Sequence, residues 1–207
     1  MPSESVPDIV VGRLPLYLRA LTELFARGKR NTSSQEIGEW LGMSSAQIRK
    51  DLSHFGEFGK QGMGYSVEEL RARLSAILRI DNEWPVVIIG AGHIGRAVAN
   101  YPGFADRGFR VKAVFDSDER LVGERIGATT VLHMDALESF VRDNGVRVAM
   151  ISVPAAVAQT VVNRLIDAGI RAILNYAPIS LNVPAHVRVE NIDPVLHLQH
   201  MTYYLES

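Results

Sequence analysis

Val86-Val-Ile-Ile-Gly-Ala-Gly-His-Ile-Gly95 decides how the larger part of this chain folds. Four apolar residues run into Gly90, Gly92 and Gly95, and helix-forming residues follow. A short apolar run bounded by glycine reads as a strand buried on both faces. The first glycine permits a tight turn and the second lets a ligand approach the backbone. The third allows the helix to pack closely on the strand, while the start of that helix favours negative charge. Alone the Gly-x-Gly-x-x-Gly spacing carries little weight. It gains weight from Asp116, 21 residues after Gly95, which closes the apolar segment Val111-Lys-Ala-Val-Phe-Asp116. An acid placed there accepts hydrogen bonds from the hydroxyls of an adenosine ribose and repels a 2′-phosphate. The ligand read from these residues is NAD rather than NADP. Ala91, His93 and Ile94 complete the loop, His93 through its backbone N–H.

Downstream, apolar strands alternate with helices, the pattern of a parallel sheet covered on both faces. Strands are expected at 86–90, 110–116, 129–133, 147–153, 171–175 and 187–192, with helices at 93–101, 135–143 and 155–168. Two loops follow strands at their carboxyl ends, where ligands bind in such sheets. One is Ser152-Val153-Pro154, the other Asn175-Tyr176-Ala177-Pro178. Val153, Pro154, Asn175, Ala177 and Pro178 suit the flanks of a nicotinamide ring, or form plain strand-ending turns.

Upstream of the polar joint Asp81-Asn-Glu-Trp-Pro85, the periodicity is helical. Leu14, Leu18, Leu21 and Phe25 mark one face of a helix over 10–28, in which Pro15 fits only near the start. Ser33 with Glu36, Ser44 with Gln47 and Ser66 with Glu69 are capping boxes, each able to satisfy two open backbone donors at a helix start. They predict helices at about 34–42, 45–55 and 67–79. Gly56-Glu-Phe-Gly-Lys-Gln-Gly-Met-Gly-Tyr65 holds four glycines in ten residues and suits a two-stranded hairpin. Helices followed by a hairpin give the order of a winged helix-turn-helix. In helix 45–55, Ile48, Leu52 and Phe55 face the core. Ser45, Gln47, Arg49, Lys50 and His54 are left outside. Arg and Lys reach guanine or phosphates and Gln can bridge adenine, so Ser45, Gln47, Arg49 and Lys50 are candidate DNA contacts. His54 reads as a surface or capping residue. Lys60, at the hairpin tip, is placed to reach a minor groove or a phosphate.

Composition limits the alternatives. Apolar residues make up 47% and charged residues 22% of 207, a globular balance with no run long enough to span a bilayer. The absence of cysteine excludes disulfides and thiol-based sensing. A redox signal must then be carried by a bound molecule. The net charge of −1 does not advertise nucleic-acid binding, and residues 1–83 balance at 11 basic against 11 acidic. The case for DNA therefore rests on arrangement. A cytoplasmic location is the default for a start without a signal peptide. His197 and His200, three apart near the C-terminus, read as packing or solvated residues, and no metal site is expected. Neither a substrate domain nor a catalytic group accompanies the glycine loop, so no enzyme is expected.

The two halves together resemble the Rex family of redox-sensing transcriptional repressors over essentially the whole chain. The resemblance is carried by Arg13-Leu-Pro-Leu-Tyr-Leu-Arg19, Gln47-Ile-Arg-Lys-Asp-Leu-Ser53 with the glycine-rich wing, Gly90 to Gly95, Tyr101-Pro-Gly-Phe104 and Asn175-Tyr-Ala-Pro178. It implies an α/β chain with three parts. These are a winged helix-turn-helix domain at 1–83, a Rossmann-type doubly wound parallel sheet at 84–192, and a C-terminal helix at 193–207 swapped between the subunits of a homodimer. It also implies a repressor that binds double-stranded operator DNA when free or holding NAD⁺ and is released by NADH. Arg19, Tyr101 and Asp193 match residues that link the winged domain, the cofactor pocket and the partner. The rivals are a small NAD-dependent oxidoreductase with an N-terminal dimerisation module, and a binding module for another adenine nucleotide such as coenzyme A.

Overall fold

The computed structural model describes residues 6–59 and 64–205, and the chain divides into two units, Met1–Asp81 and Asn82–Ser207. In the first, α1 (Asp8–Ala26), α2 (Ser34–Leu41), α3 (Ser45–Ser53) and α4 (Val67–Ile77) surround one apolar core. The buried stripe of α1 runs through Val10, Leu14, Tyr17, Leu21 and Leu24, in helical steps of four and three. Leu18 lies beside it. Phe25 does not enter the core; it is exposed, and the Arg71 guanidinium sits 3.9 Å from its ring. Pro15 lies inside α1 rather than near its start. It is tolerated because it is on the exposed face, as is Val11, whose carbonyl it leaves without an intrahelical donor.

All three expected caps form. Ser33, Ser44 and Ser66 accept the backbone N–H of Glu36, Gln47 and Glu69 at 3.2, 3.2 and 3.3 Å. The reciprocal half differs from the capping-box expectation. Glu36 turns to Lys29 and Thr32, and Gln47 turns to Asp51. Two short strands, β1 (Asn31–Thr32) and β2 (Tyr65–Ser66), pair antiparallel, with Thr32 opposite Tyr65. The wing therefore ends against the segment after α1, a pairing too short for periodicity to reveal. Its two arms approach at Gly59 and Gly64. A Cβ on Gly59, where φ is +81°, would lie 2.2 Å from the Gly64 carbonyl oxygen. Residues 60–63, with the candidate contact Lys60, fall outside the described residues.

The second unit is a sheet of seven strands: β3 (Trp84–Ile89), β4 (Phe109–Asp116), β5 (Arg125–Ile126), β6 (Thr129–His133), β7 (Val148–Ile151), β8 (Ala172–Asn175) and β9 (Arg188–Asn191). Their order is β5-β6-β4-β3-β7-β8-β9, parallel except for β5. Because side chains alternate along a strand, β3 sends Val86 and Ile88 to one face and Val87 and Ile89 to the other. Val87 and Ile89 join Ala113, Phe115, Ala149 and Ile151 beneath α6 (Leu137–Asp143) and α7 (Ala155–Ala168). Val86 and Ile88 join Val114, Val131 and Met150 on the side of α5 (His93–Ala99). Strand order reverses at β3, with β4 on one side and β7 on the other. Ligands bind such sheets in the crevice at that point.

The chain then forms α8 (Pro194–Thr202), with Asp193 capping it by accepting the Val195 N–H at 2.9 Å. No residue of α8 is buried, and Leu196, Leu198 and Met201 are each about 60% exposed. Among the described residues, no helix is long and apolar enough to cross a membrane.

Candidate functional site

A cleft of about 580 Å³ opens at the carboxyl ends of β3, β4 and β7. Its lining includes Gly90, Gly92 and Ile94 of the glycine loop, Ser152, Val153 and Pro154 after β7, and Asp116 at the end of β4. Asp116 binds the glycine loop directly. Its Oδ2 accepts the Ala91 N–H at 2.7 Å and its Oδ1 accepts the Asp118 N–H at 2.9 Å. A carboxylate offers about four acceptor sites, so about two remain for a ligand. Gly95 is absent from the wall and packs behind it, where an added Cβ would meet the Gly90 carbonyl oxygen at 1.8 Å. Gly92 faces open space, with no atom within 4 Å of such a Cβ. One glycine is thus needed for packing, and the other leaves a clear approach to the backbone.

Several wall residues were not singled out by sequence. Phe115, Ser117 and Met134 line the cleft near Asp116, and α7 contributes Val157, Val161 and Arg164. Helical spacing of four and three after Ser152-Val153-Pro154 was the available signal for the α7 face. Arg164 is fixed by Glu138 at 2.6 and 3.0 Å and by the Met134 carbonyl at 2.7 Å. The Arg164 guanidinium holds the Glu138 carboxyl below its ordinary range. Ser152 Oγ donates toward the Ile89 and Gly90 carbonyls at 3.2 and 3.1 Å, tying the end of β7 to the glycine loop. Tyr176 and Pro178 reach the wall, whereas Asn175 and Ala177 do not. Asn175 is buried and organises its own loop, donating to the Ile179 carbonyl and Asn191 and accepting the Ala177 N–H. Ala91 and His93 are also off the wall.

In the first unit α3 carries a buried carboxylate. Asp51 is completely buried. Arg13 reaches it through Nε at 2.6 Å and Nη2 at 2.7 Å, Tyr17 donates its hydroxyl at 2.5 Å, and Gln47 donates its amide at 2.7 Å. Burial works to raise the Asp51 carboxyl, but the hydrogen bonds from Arg13, Tyr17 and Gln47 prevail and hold it below the usual range. Burial, then the hydrogen bond to Asp51, pushes the Tyr17 phenol up. This network fixes the roll of α3 against α1. On the outer side Arg49 and Lys50 are exposed and Ser45 is half-buried. Arg49 gives one N–H to Ser34 Oγ at 3.0 Å, which leaves four donors of its guanidinium for other partners.

Comparison with known proteins fits both halves. The model of a putative DNA-binding protein N-terminus matches residues 5–53, and that of a CoA binding domain matches residues 81–179. The redox-sensing transcriptional repressor Rex of Roseiflexus sp. (strain RS-1) is 49% identical over 202 residues, spanning 98% of this chain and 92% of the relative. The chain belongs to the Rex family of redox-sensing transcriptional repressors. Solved structures agree. A crystal structure of RSP in complex with beta-NAD⁺ and operator DNA has a TM-score of 0.91 and 41% identity, covering 97% of this chain and 92% of that one. RSP in complex with beta-NADH gives 0.89 and 39%, covering 97% and 94%.

Of the three residues that the resemblance ties to a switch, Arg19 lies within α1, whereas Tyr101 and Asp193 stand at the starts of short helical segments. Arg19 projects from α1 with its side chain 74% exposed and a loose 3.6 Å contact to Glu23. Tyr101 is exposed and meets Phe104 edge-on at 5.2 Å. Asp193 caps α8. Among the described residues, no group of three or more His, Asp or Glu is arranged to hold a metal ion.

Proposed function

We propose that this Rex-family repressor binds NAD(H) in the cleft at Asp116 and operator DNA through α3, and that NADH releases the DNA. The cofactor half is carried by the tie between Asp116 and the glycine loop. It leaves acceptor sites for a ribose diol beside an open approach at Gly92. A carboxylate there disfavours a phosphorylated ribose, and so both NADP and coenzyme A. Val153, Pro154, Tyr176 and Pro178 supply an apolar wall for the nicotinamide end. The cofactor contributes its redox state and no reaction on the protein. The DNA half is carried by α3, whose Ser45, Gln47, Arg49 and Lys50 form its outer side while Asp51 fixes its roll; Lys60 adds a contact from the wing. The RSP complexes with beta-NAD⁺ and operator DNA and with beta-NADH support both halves.

The protein acts as a cytoplasmic homodimer. An apolar helix with no buried residue needs a partner, and α8 of a second copy is that partner. The domains are 1–83, 84–192 and 193–207. Arg19, Tyr101 and Asp193 transmit the cofactor's state between the winged and cofactor domains. A mobility-shift assay on a palindromic site from the protein's own promoter region tests the proposal. NADH is expected to release the parent complex and NAD⁺ to leave it, while Asp116→Ala binds the same DNA but no longer responds to NADH at that concentration. An operator complex indifferent to NADH in the parent would contradict it.

A further inference from the structure

We infer that Gln47 reads the edge of an adenine and that Asp51 sets the Gln47 amide for that task, which rests on α3 being the DNA-reading helix. An ionised carboxylate only accepts hydrogen bonds, so the group Gln47 turns to Asp51 Oδ1, 2.7 Å away, is its NH₂. Asp51 cannot shift to suit Gln47. It is fully buried and clamped by two nitrogens of Arg13 and the hydroxyl of Tyr17. Flipping the amide would set its carbonyl oxygen against the carboxylate. One amide hydrogen is therefore committed to Asp51, and the amide keeps an acceptor, Oε1, beside a second N–H.

Adenine presents the matching pair in the major groove, a donor at N6 beside an acceptor at N7. Guanine presents two acceptors, one of which would meet Oε1, and a pyrimidine presents only one polar group. The fixed amide thus favours adenine. Gln47 is the third residue of α3, half-buried at the border between core and outer face. Residues in the first turn of a recognition helix are the ones that reach base edges. Arg49, held by a single N–H to Ser34, has no comparable constraint on what it reads.

The test is a fluorescence-anisotropy titration of the full chain against operator duplexes in which each base pair is replaced in turn. Parent protein is expected to lose roughly 5- to 150-fold in affinity when one A·T pair of each half-site is replaced. Gln47→Ala should bind the unaltered operator more weakly by a similar factor, lose discrimination at that pair, and keep the rest of the profile. Asp51→Asn, whose side chain offers either a donor or an acceptor, should flatten the same position. Because that variant risks unfolding, the parent's Gln47 side-chain amide is also followed by NMR, where one of its two protons should exchange with solvent more slowly. A Gln47→Ala profile identical to the parent's, or lowered equally for every duplex, overturns the adenine assignment. Equal exchange of both protons overturns the role of Asp51. A parent that binds no duplex overturns the DNA-binding proposal and this inference with it.

Discussion

Gly95→Ala is expected to abolish NADH binding and to destabilise the second unit by about 1–3 kcal/mol or more, the usual cost of forcing a methyl into packed surroundings. The added Cβ would stand 1.8 Å from the Gly90 carbonyl oxygen and 2.9 Å from Ser152 Oγ. Neither neighbour is the free end of a long side chain. The first is backbone in the loop itself, and the second is bonded to that loop. The loop must move, and Asp116, which holds it through the Ala91 N–H, must move or let go. Gly92→Ala provides the contrast. Its Cβ meets nothing within 4 Å, so the free protein should melt within about 0.5 kcal/mol of the parent. It should still bind NADH more weakly, because the methyl narrows the approach to the backbone. Thermal unfolding separates the two, and calorimetry with NADH reads the shared loss. Equal melting of both variants would contradict the packing role of Gly95.

Asp51→Ala should destabilise the winged unit by about 3 kcal/mol, the lower end for removing one partner of a buried ion pair. The lower end applies because the Arg13 side chain is 20% exposed and recovers some water. Operator binding should fall for every sequence, since α3 loses its fixed roll, and discrimination at the pair read by Gln47 should be lost as well. Acid acts on the same group. The Asp51 carboxyl is held below its ordinary value in the folded state. Its contribution is present above the unfolded value near 4 and is lost as pH falls through the folded one. Glu36, lowered by hydrogen bonds from Lys29 and Thr32, adds to this in the same direction. The parent winged unit should therefore weaken as pH falls below about 4, and Asp51→Ala should weaken less steeply. Denaturant unfolding followed at neutral and acid pH checks both slopes. A variant as acid-sensitive as the parent would remove Asp51 as the cause.

The parts of the fold set by local pattern were legible in the sequence. Three hydroxyl caps, the glycine spacing after β3 and the alternation of apolar strands depend on residues a few positions apart. Asp51 was not read because its partners Arg13 and Tyr17 lie 38 and 34 residues away. Its place three residues after Ile48, beside Leu52, was the available signal that it faces the core. The turn of Gln47 away from its capping box is only four residues long, but it depends on Asp51 being held in place by those distant partners. β1 and β5 hold two residues each, too few for any period to show. In the cleft, the glycine loop and Asp116 were visible because each occupies a fixed place relative to one strand. Met134 and the α7 face came from elements whose packing only the assembled sheet determines. Asn175 shows how a polar residue beside a ligand loop can also hold that loop, through bonds to Ile179, Asn191 and Ala177.

Coupling between cofactor and DNA is the centre of the proposed function. A ligand shifts a conformational equilibrium only by its difference in affinity for the two states, and the effect is reciprocal. If the arrangement that cannot bind operator holds NADH about 100-fold more tightly, saturating NADH removes up to about 2.7 kcal/mol of DNA affinity. Operator must then weaken NADH by the same factor. Asp193→Ala, altered at the cap of α8, should reduce this coupling more than it reduces either affinity alone. The direct measurement is the NADH dissociation constant with and without saturating operator DNA. A large rise with operator, matched by the loss of operator affinity in NADH, is the expected result. The same constant in both conditions would contradict it.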